Sequence, residues 1–342
     1  MAIRRSRCAA LALALALAGC RPQEPPPQAA DGGEKASRGA ELTAERFPRI
    51  DGKTVGFVPI GLGTPLTEEW LHRIRRGAQR LGWKVVTRDP NWDAQAQPAA
   101  IQSLIDQRVD AIVAHNTDIN LNAEALRRAE EAGIWTVTVN MASSHLPSLH
   151  VGGEWGTGGA LQAEALVNAC GGRGKVALIT GDASSQATLD LLRGGQKVFD
   201  ENPGISIVAT QAANWDRTRA HDIAATLLTQ HADLCGLWVF WDQMAYGAAL
   251  AVRDAGRQGQ VRVVTMDSTI GCQGVKDGII DVTFSFHVPE QGDQIVAGLA
   301  MLFQMAEQGV KPGRFHTAVW SEWTKITREN VDQPGLCYTG KT

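Results

Sequence analysis

From Lys53 onward, the chain alternates short runs of β-branched and other apolar residues with longer segments of helical periodicity. This alternation is typical of βαβ units that build a parallel sheet. In the segment 68–81, for example, Leu71, Ile74, Ala78 and Leu81 recur at spacings of three and four, which predicts a helix that packs one face on a sheet. The same pattern predicts strands at 54–60, 84–87, 111–114, 135–139, 175–180, 206–210, 236–241, 262–266 and 281–286.

The candidate strands divide at about Gly153 into two groups. Each group, with helices on both faces, predicts a separate doubly wound parallel sheet, so the fold class is α/β with two lobes. Parallel sheets of this kind bind ligands at the carboxyl ends of their strands. Two lobes that face each other at these ends predict one shared cleft.

The first twenty residues have the pattern of a lipoprotein signal peptide. Three arginines within residues 4–7 precede an apolar Leu/Ala run at 9–18, which is too short to span a membrane, and the run ends in Leu17-Ala18-Gly19-Cys20. This pattern predicts a signal peptide at 1–19, lipidation of Cys20 and attachment to a membrane surface. The Pro- and Gln-rich segment that follows predicts a flexible tether up to residue 52.

Composition and motifs exclude several classes of function. A net charge of −3 and the lack of a basic stripe argue against nucleic-acid binding. The glycines at 152–159 lack the Gly-Lys-Ser/Thr ending of a P-loop, and no GxSxG or zincin pattern occurs, so neither an enzyme activity nor a cofactor is predicted.

Four cysteines follow Cys20, namely Cys170, Cys235, Cys272 and Cys337. Their spacing does not fit a zinc site, so no metal is predicted. An even number in an exported protein indicates disulfides, with three pairings open.

Several short segments match motifs of one known family in the right order. Residues 241–248, Trp-Asp-Gln-Met-Ala-Tyr-Gly-Ala, are similar to N-D-x-M-A-x-G-A, and residues 264–267 are similar to V-G-x-D. Residues 214–217, Asn-Trp-Asp-Arg, resemble A-D-W-D-R, Arg193-Gly194 resembles an R-G pair, and residues 326–332 resemble I-T-x-E-N-V-D. Over about residues 53–332 the chain thus resembles the periplasmic sugar-binding proteins of ABC importers, of the ribose- and galactose-binding type.

The resemblance implies the type I periplasmic-binding-protein fold, in which three crossings form the hinge between the lobes. Lobe one is then expected to comprise 53–152 and 289–319, and lobe two 153–288 and 320–337. The implied function is to bind a small neutral polar ligand, a sugar or polyol, and to deliver it as a monomer to an ABC permease in the membrane. The alternative is a periplasmic sensing subunit that presents its closed form to a receptor histidine kinase.

The family's strand order also implies a disulfide pairing. In the order 2-1-3-4-5, the first and third strands of lobe two are neighbours, and Cys170 and Cys235 precede these two strands. This arrangement predicts a Cys170–Cys235 disulfide, and a Cys272–Cys337 disulfide that ties the C-terminal tail to lobe two.

The resemblance implies four principal ligand-binding residues. Asp267 matches the family's sugar-binding Asp, and the alternative is a helix cap. Trp215 matches an aromatic stacking position, and Trp241 stands where the family has Asn, with core packing as the alternative for both. Asn140 stands where the family has Asp, and Met141 replaces the following Arg.

Further candidates follow other strand ends or begin helices: Glu68 and Trp70, Asn91 with Trp92, His115 with Asn116, Gln186, and His287. Helix capping at Thr67 is the alternative for the first pair. A ligand contact by His287 would make binding pH-dependent, because imidazole titrates near neutrality. No Arg precedes Arg193 on the helix that starts at Gln186. With the Arg that Met141 replaces, this is the second missing cation, and it points to a neutral ligand larger or less polar than a pentose, or to a different class of solute.

Overall fold

The computed structural model describes residues 49–340. The predicted signal peptide, the lipidation site Cys20 and the tether as far as residue 48 lie outside this part of the chain. Two parallel sheets flanked by helices form the two lobes, so the predicted α/β fold class is confirmed. None of the helices between residues 49 and 340 is long and apolar enough to cross a membrane.

Lobe one contains a six-stranded sheet, all of whose strands are parallel, in the order β11-β5-β4-β3-β1-β2. Its strands are β1 (Thr54–Val58), β2 (Lys84–Thr87), β3 (Ala111–Ala114), β4 (Trp135–Val139), β5 (Leu149–Gly153) and β11 (Thr317–Ser321). Its helices are α1 (Pro65–Leu81), α2 (Gln97–Asp106), α3 (Ala123–Glu131) and α9 (Val288–Glu307), and a short 3-10 helix spans Ala94–Ala96.

Lobe two contains a four-stranded parallel sheet in the order β7-β6-β8-β9. Its strands are β6 (Gly174–Thr180), β7 (Ile205–Ala212), β8 (Leu234–Val239) and β9 (Arg262–Val264), and β10 (Thr283–Ser285) pairs antiparallel with β12 (Thr324–Ile326) beside them. Its helices are α4 (Trp155–Ala169), α5 (Gln186–Glu201), α6 (Arg217–Gln230), α7 (Asp242–Asp254) and α8 (Ile270–Lys276).

Helix α1 shows how capping residues determine where a helix begins and ends. It begins three residues before the predicted segment, because Thr64 rather than Thr67 is the N-cap and accepts a hydrogen bond from the Thr67 backbone N–H. It ends at Leu81. The next residue, Gly82, has a positive φ of 71°, and its backbone N–H donates a hydrogen bond to the Ala78 carbonyl.

The glycine-rich stretch after β5 lets helices α4 and α5 pack closely. A Cβ on Gly159 would lie 2.2 Å from the Leu191 carbonyl oxygen, and one on Gly194 would lie 1.9 Å from the Gly156 carbonyl oxygen. These glycines therefore allow the two helix backbones to touch.

The chain crosses between the sheets three times, between β5 and α4, between β10 and α9, and between β11 and β12. One aromatic side chain comes from each crossing, namely Trp155, Phe286 and Trp323, and their ring centroids are 5.3 to 5.5 Å apart. We call these three residues the hinge triad. The Nε1–H of Trp155 donates to the Asn140 carbonyl at 2.7 Å, and that of Trp323 donates to the Glu154 carbonyl at 3.0 Å.

Both disulfides lie in lobe two, and the predicted pairing is confirmed. Cys170–Cys235 joins the end of α4 to β8, with 5.9 Å between the Cα atoms. Cys272–Cys337 joins α8 to the C-terminal tail, with 6.2 Å between the Cα atoms.

Candidate functional site

A cavity of about 880 Å³ lies between residues that follow the strands of both lobes. A smaller cavity of about 50 Å³ adjoins it and is lined mainly by apolar side chains. Both cavities are lined by Ile60, Trp92, Trp215 and Trp241. This cleft is the shared site that two facing parallel sheets predict.

Trp92 and Trp215 occupy equivalent places in the two lobes. Each is the centre of an Asn-Trp-Asp sequence that follows the second strand in that lobe, at 91–93 after β2 and at 214–216 after β7. Trp92 and Trp215 have positive φ angles of 66° and 62°, which are uncommon for bulky residues. The aspartate of each sequence, Asp93 or Asp216, then caps the next helix. The repeated geometry brings one indole ring into the cleft from each side.

Each of these rings lies directly over a glycine backbone. A Cβ added to Gly61 would come within 2.5 Å of the Trp92 ring, and one added to Gly181 would come within 2.1 Å of the Trp215 ring. Both glycines follow the first strand of their lobe. A larger residue at either place would push the ring from its position.

Trp241 forms a third aromatic wall and is held by Asp267. Its Nε1–H donates to Asp267 Oδ2 at 3.3 Å, and its ring centroid lies 6.4 Å from that of Trp215. Trp241 and Asp267 have φ angles of 96° and 80°. Residues held in such conformations need support from their surroundings, and they cluster at binding sites.

Asp267 is buried behind Trp241 and does not line either cavity. Its Oδ1 accepts hydrogen bonds from the Ser268 backbone N–H at 2.8 Å and from the Tyr338 hydroxyl at 2.7 Å. Burial and the nearby Asp242 carboxylate raise the pKa of Asp267 to about 8, although the hydrogen bonds from Tyr338, Ser268 and Trp241 act in the opposite direction.

His115 and Asn140 supply polar groups to the inner cavity. Each is only 3% exposed, and His115 Nδ1 and Asn140 Oδ1 have no hydrogen-bond partner in the described part of the chain. Burial lowers the pKa of His115 to about 3, so the imidazole is neutral at physiological pH. Because buried polar atoms are normally paired, each of these two atoms is left with unused hydrogen-bonding capacity next to the inner cavity.

Asp118 and Ser184 line the outer cavity from opposite lobes. Burial tends to raise the pKa of Asp118, but hydrogen bonds from the backbone N–H groups of Asn120 and Leu121 outweigh it, and the Ser184 side chain adds to the lowering. The carboxylate is therefore charged, and it marks a place where the lobes approach each other.

Of the residues predicted from the sequence, the structure brings Trp92, His115, Asn140, Trp215 and Trp241 to the cavity lining. Trp70 is fully buried, donates to Gln291 Oε1 at 3.2 Å, and supports His115 with an edge contact between ring centroids 4.9 Å apart. It therefore lies one layer behind the cleft.

The other predicted residues make contacts within the protein and do not line the cavities. Glu68 accepts from the Gly63 backbone N–H, and Gln186 donates to Asp190. Asn116 donates to the carbonyls of Met141 and Ala142 and accepts from Asn122.

Asn91 and His287 also lie outside the lining. Asn91 precedes Trp92 and is exposed, with its backbone N–H bonded to Asp89. His287 is the residue directly before α9 at the second crossing, and its Nε2 lies 2.8 Å from Thr324 Oγ1.

The strongest signal that sequence reasoning missed is the repeated Asn-Trp-Asp. Comparing the two halves of the chain would have placed Trp92, only a candidate rim residue, opposite Trp215. The apolar lining residues Leu66, Met141 and Met266, and the hinge residues Trp155 and Phe286, carry no comparable signal.

Between residues 49 and 340, no group of three or more His, Cys, Asp or Glu side chains is placed to hold a metal ion. Two parallel-sheet lobes around one cleft, joined by three crossings, define a two-lobed ligand-binding protein. The family model described as a periplasmic binding protein domain matches residues 55–307, and the chain belongs to this family.

Relatives of known name are similar over most of the chain. The ribose import binding protein of Bacillus subtilis is 27% identical over 231 residues, which cover 67% of this chain and 72% of the relative. The D-apiose import binding protein of Paraburkholderia graminis is 30% identical over 207 residues, or 59% of this chain and 64% of the relative. An ABC transporter solute-binding protein from Bacillus halodurans, solved with bound myo-inositol, has a TM-score of 0.76 at 22% identity and covers 84% of this chain and 99% of its own.

Membership of this family places the protein outside the cytoplasm, where disulfides form and persist. The two disulfides in lobe two agree with such a location.

Proposed function

We propose that the protein is the solute-binding component of an ABC importer, that it binds a sugar or polyol in the cleft between its lobes, and that it delivers this ligand to a membrane permease. It catalyses no reaction and acts as a monomer. The single observation that carries the proposal is the cleft that Trp92 and Trp215 line together with His115 and Asn140, each of which keeps one buried polar atom without a hydrogen-bond partner.

The chemistry of the cleft suits a hydroxyl-rich ring. The C–H faces of such a ring pack on indole rings, and its hydroxyls both donate and accept hydrogen bonds. Asn140 Nδ2 donates to His115 Nε2 at 3.4 Å, so the unpaired Nδ1 of the neutral imidazole carries the proton and is a donor, whereas the Asn140 oxygen is an acceptor.

The lining contains no lysine or arginine among the described residues, so nothing there would pair with an anionic ligand. A neutral sugar or polyol fits this lining better than a sugar phosphate or acid. The relatives named for ribose and D-apiose, and the neighbour with bound myo-inositol, support the same ligand class.

Anchoring is part of the proposal. A lipidated Cys20 at the end of a tether would keep the two lobes close to the permease, because acyl chains on one cysteine hold a protein stably at a membrane surface. Changing Cys20 to Ser and fractionating the cells tests this point. The variant should leave the membrane fraction, whereas unchanged membrane association would contradict lipidation.

The ligand class is tested by thermal-shift screening of the protein against sugars, polyols, amino acids and sugar phosphates, followed by calorimetry. A ligand at 100 times its Kd should add about 2.7 kcal/mol of apparent stability. Binding restricted to phosphates or amino acids would contradict the proposal.

Transport and sensing are separated by uptake of the labelled ligand in a strain that lacks the protein. Loss of uptake supports delivery to a permease. Normal uptake with a lost transcriptional response would instead support the sensing function that the sequence also allows.

A further inference from the structure

The C-terminal tail returns to the ligand cleft after β12. The Tyr338 backbone N–H donates to the Ser268 carbonyl at 3.1 Å, and its side chain, only 9% exposed, inserts beside Asp267. Cys337 is bonded to Cys272 of α8, so the residue directly before Tyr338 is covalently fixed to lobe two. Two residues beyond Tyr338, the tail contacts lobe one, since a Cβ on Gly340 would lie 2.5 Å from the Pro65 Cα.

A continuous chain of contacts leads from this tail to the cleft wall. The Tyr338 hydroxyl donates to Asp267 Oδ1 at 2.7 Å, and the other oxygen, Oδ2, accepts from Trp241 Nε1 at 3.3 Å. The Trp241 ring lines both cavities and is partly exposed, whereas Asp267 and Tyr338 are buried. Tyr338 therefore does not line the cleft, and it is connected to the cleft wall through the side chains of Asp267 and Trp241.

The Asp267 carboxyl group lines neither cavity in this arrangement. Oδ1 also accepts the Ser268 backbone N–H, so donors of the protein hold both oxygens. Removing the tyrosine hydroxyl would leave Oδ1 with one donor fewer and allow the carboxylate to turn. Trp241 would then lose the acceptor that fixes its ring.

We propose that Tyr338 is a positioning residue for ligand binding: through Asp267 it holds the Trp241 ring in place, and the Cys272–Cys337 disulfide holds Tyr338. A ring that is ordered before the ligand arrives loses less side-chain entropy on binding, so pre-organisation strengthens affinity. This inference rests on the proposed function, because it concerns the same cleft.

The first test compares Tyr338→Phe with the wild-type protein by calorimetry, using whichever sugar or polyol the screen identifies. The Kd should rise about tenfold, which corresponds to about 1.4 kcal/mol. A double-mutant cycle with Trp241→Phe then separates positioning from general destabilisation. In the Trp241→Phe background, Tyr338→Phe should change the Kd less than twofold. Equal effects in both backgrounds would overturn the proposal.

The second test uses the two disulfides as a matched pair, because both have a sequence separation of 65 residues and both lie in lobe two. Replacing Cys272 and Cys337 with Ser should weaken ligand binding about as much as Tyr338→Phe. The same change at Cys170 and Cys235 should leave the Kd within twofold of the wild type. Equal weakening by both pairs, or no weakening by the first, would contradict the role of the tail.

A ligand-free readout keeps this inference separate from the proposed function. Among the indole N–H resonances of the ten tryptophans, the Trp241 signal is identified by its loss in Trp241→Phe. This resonance should shift in Tyr338→Phe and in the Cys272/Cys337 double variant, even if no sugar binds. An unchanged Trp241 resonance would overturn the positioning role, whereas a shifted resonance without sugar binding would contradict only the ligand class.

Discussion

The rings of Trp155 and Trp323 pack with their centroids 5.3 Å apart where the first and third crossings between the lobes meet. Trp155 also lines the inner cavity, as does Phe286 of the second crossing. A ligand that extended into that cavity would therefore contact the hinge itself. Opening of the lobes requires these rings to slide or separate, so the hinge triad contributes to the balance between open and closed forms.

Replacing Trp323 with Ala should shift the ligand-free protein towards the open form, because the hinge triad loses one of its three rings. We expect a larger radius of gyration by small-angle X-ray scattering without ligand, and a loss of about 2 kcal/mol in the free energy of unfolding. Trp320→Ala is the matched control, since Trp320 is 54% exposed and outside the hinge triad. Equal scattering by the two variants would argue against a hinge role.

Replacing Trp215 with Ala should raise the Kd for the ligand roughly ten- to a hundredfold, because burial of a large ring contributes about 1.5–3 kcal/mol. Gly181→Ala should weaken binding in the same direction without removing the ring, since the added Cβ would collide with it. Calorimetry measures both variants, and Trp215→Phe should recover part of the loss. Wild-type affinity in Gly181→Ala would show that the position of the ring does not matter.

The raised pKa of Asp267 predicts a specific pH dependence of stability. Because the folded carboxyl has a pKa of about 8, the native state binds more protons than the unfolded state between about pH 4 and 8. The contribution of this group to the free energy of unfolding therefore falls as pH rises through that range and levels off above it. Urea denaturation should show a smaller fall for Asp267→Asn than for the wild type, whereas the exposed-site control Asp254→Asn should behave as the wild type.

The pKa shifts of two buried histidines should make stability depend on pH in the direction opposite to that of Asp267. Burial lowers the pKa of His115 to about 3 and that of His150 to about 4, so the unfolded state binds more protons below about pH 6.5. Their contribution to stability is complete above pH 6.5 and is lost as pH falls towards 3. Acid titration of His150→Gln, followed by circular dichroism, should show a weaker loss between these limits, and a curve identical to the wild type would contradict the assignment.

Much of the fold could be predicted, because buried parallel strands appear in the sequence as short apolar runs. Helix ends could also be predicted: the residue after α1 adopts a positive φ, which favours glycine, and Gly82 occupies that position. The strand Leu149–Gly153 was missed, since its closing glycines resemble a turn. The pairing of Cys170 with Cys235 was predicted from the strand order of the family that the chain resembles, and Cys272 was predicted to pair with Cys337 in the C-terminal tail. Both pairings are confirmed.

The site was harder to predict than the fold. A strand end marks the neighbourhood of a cleft, but it does not say which of two adjacent side chains faces the cavity. The structure places Trp92 rather than Asn91, and His115 rather than Asn116, in the lining. Asp267 lies at the expected strand end, but its side chain is buried. Its oxygens accept hydrogen bonds from Ser268, Trp241 and Tyr338, and Tyr338 is 71 positions away in sequence.

The edge strand β11 gives the interleaved lobes a consequence for the order of folding. Strand β5 pairs with residues 317–321 on one side, so the sheet of lobe one lacks one strand until nearly the whole chain has been synthesised or exported. A polypeptide threaded through an export channel from its N-terminus would keep that edge unsatisfied until late in translocation. The connectivity that forms the hinge would thereby delay completion of lobe one on the destination side of the membrane until the C-terminal segment arrives.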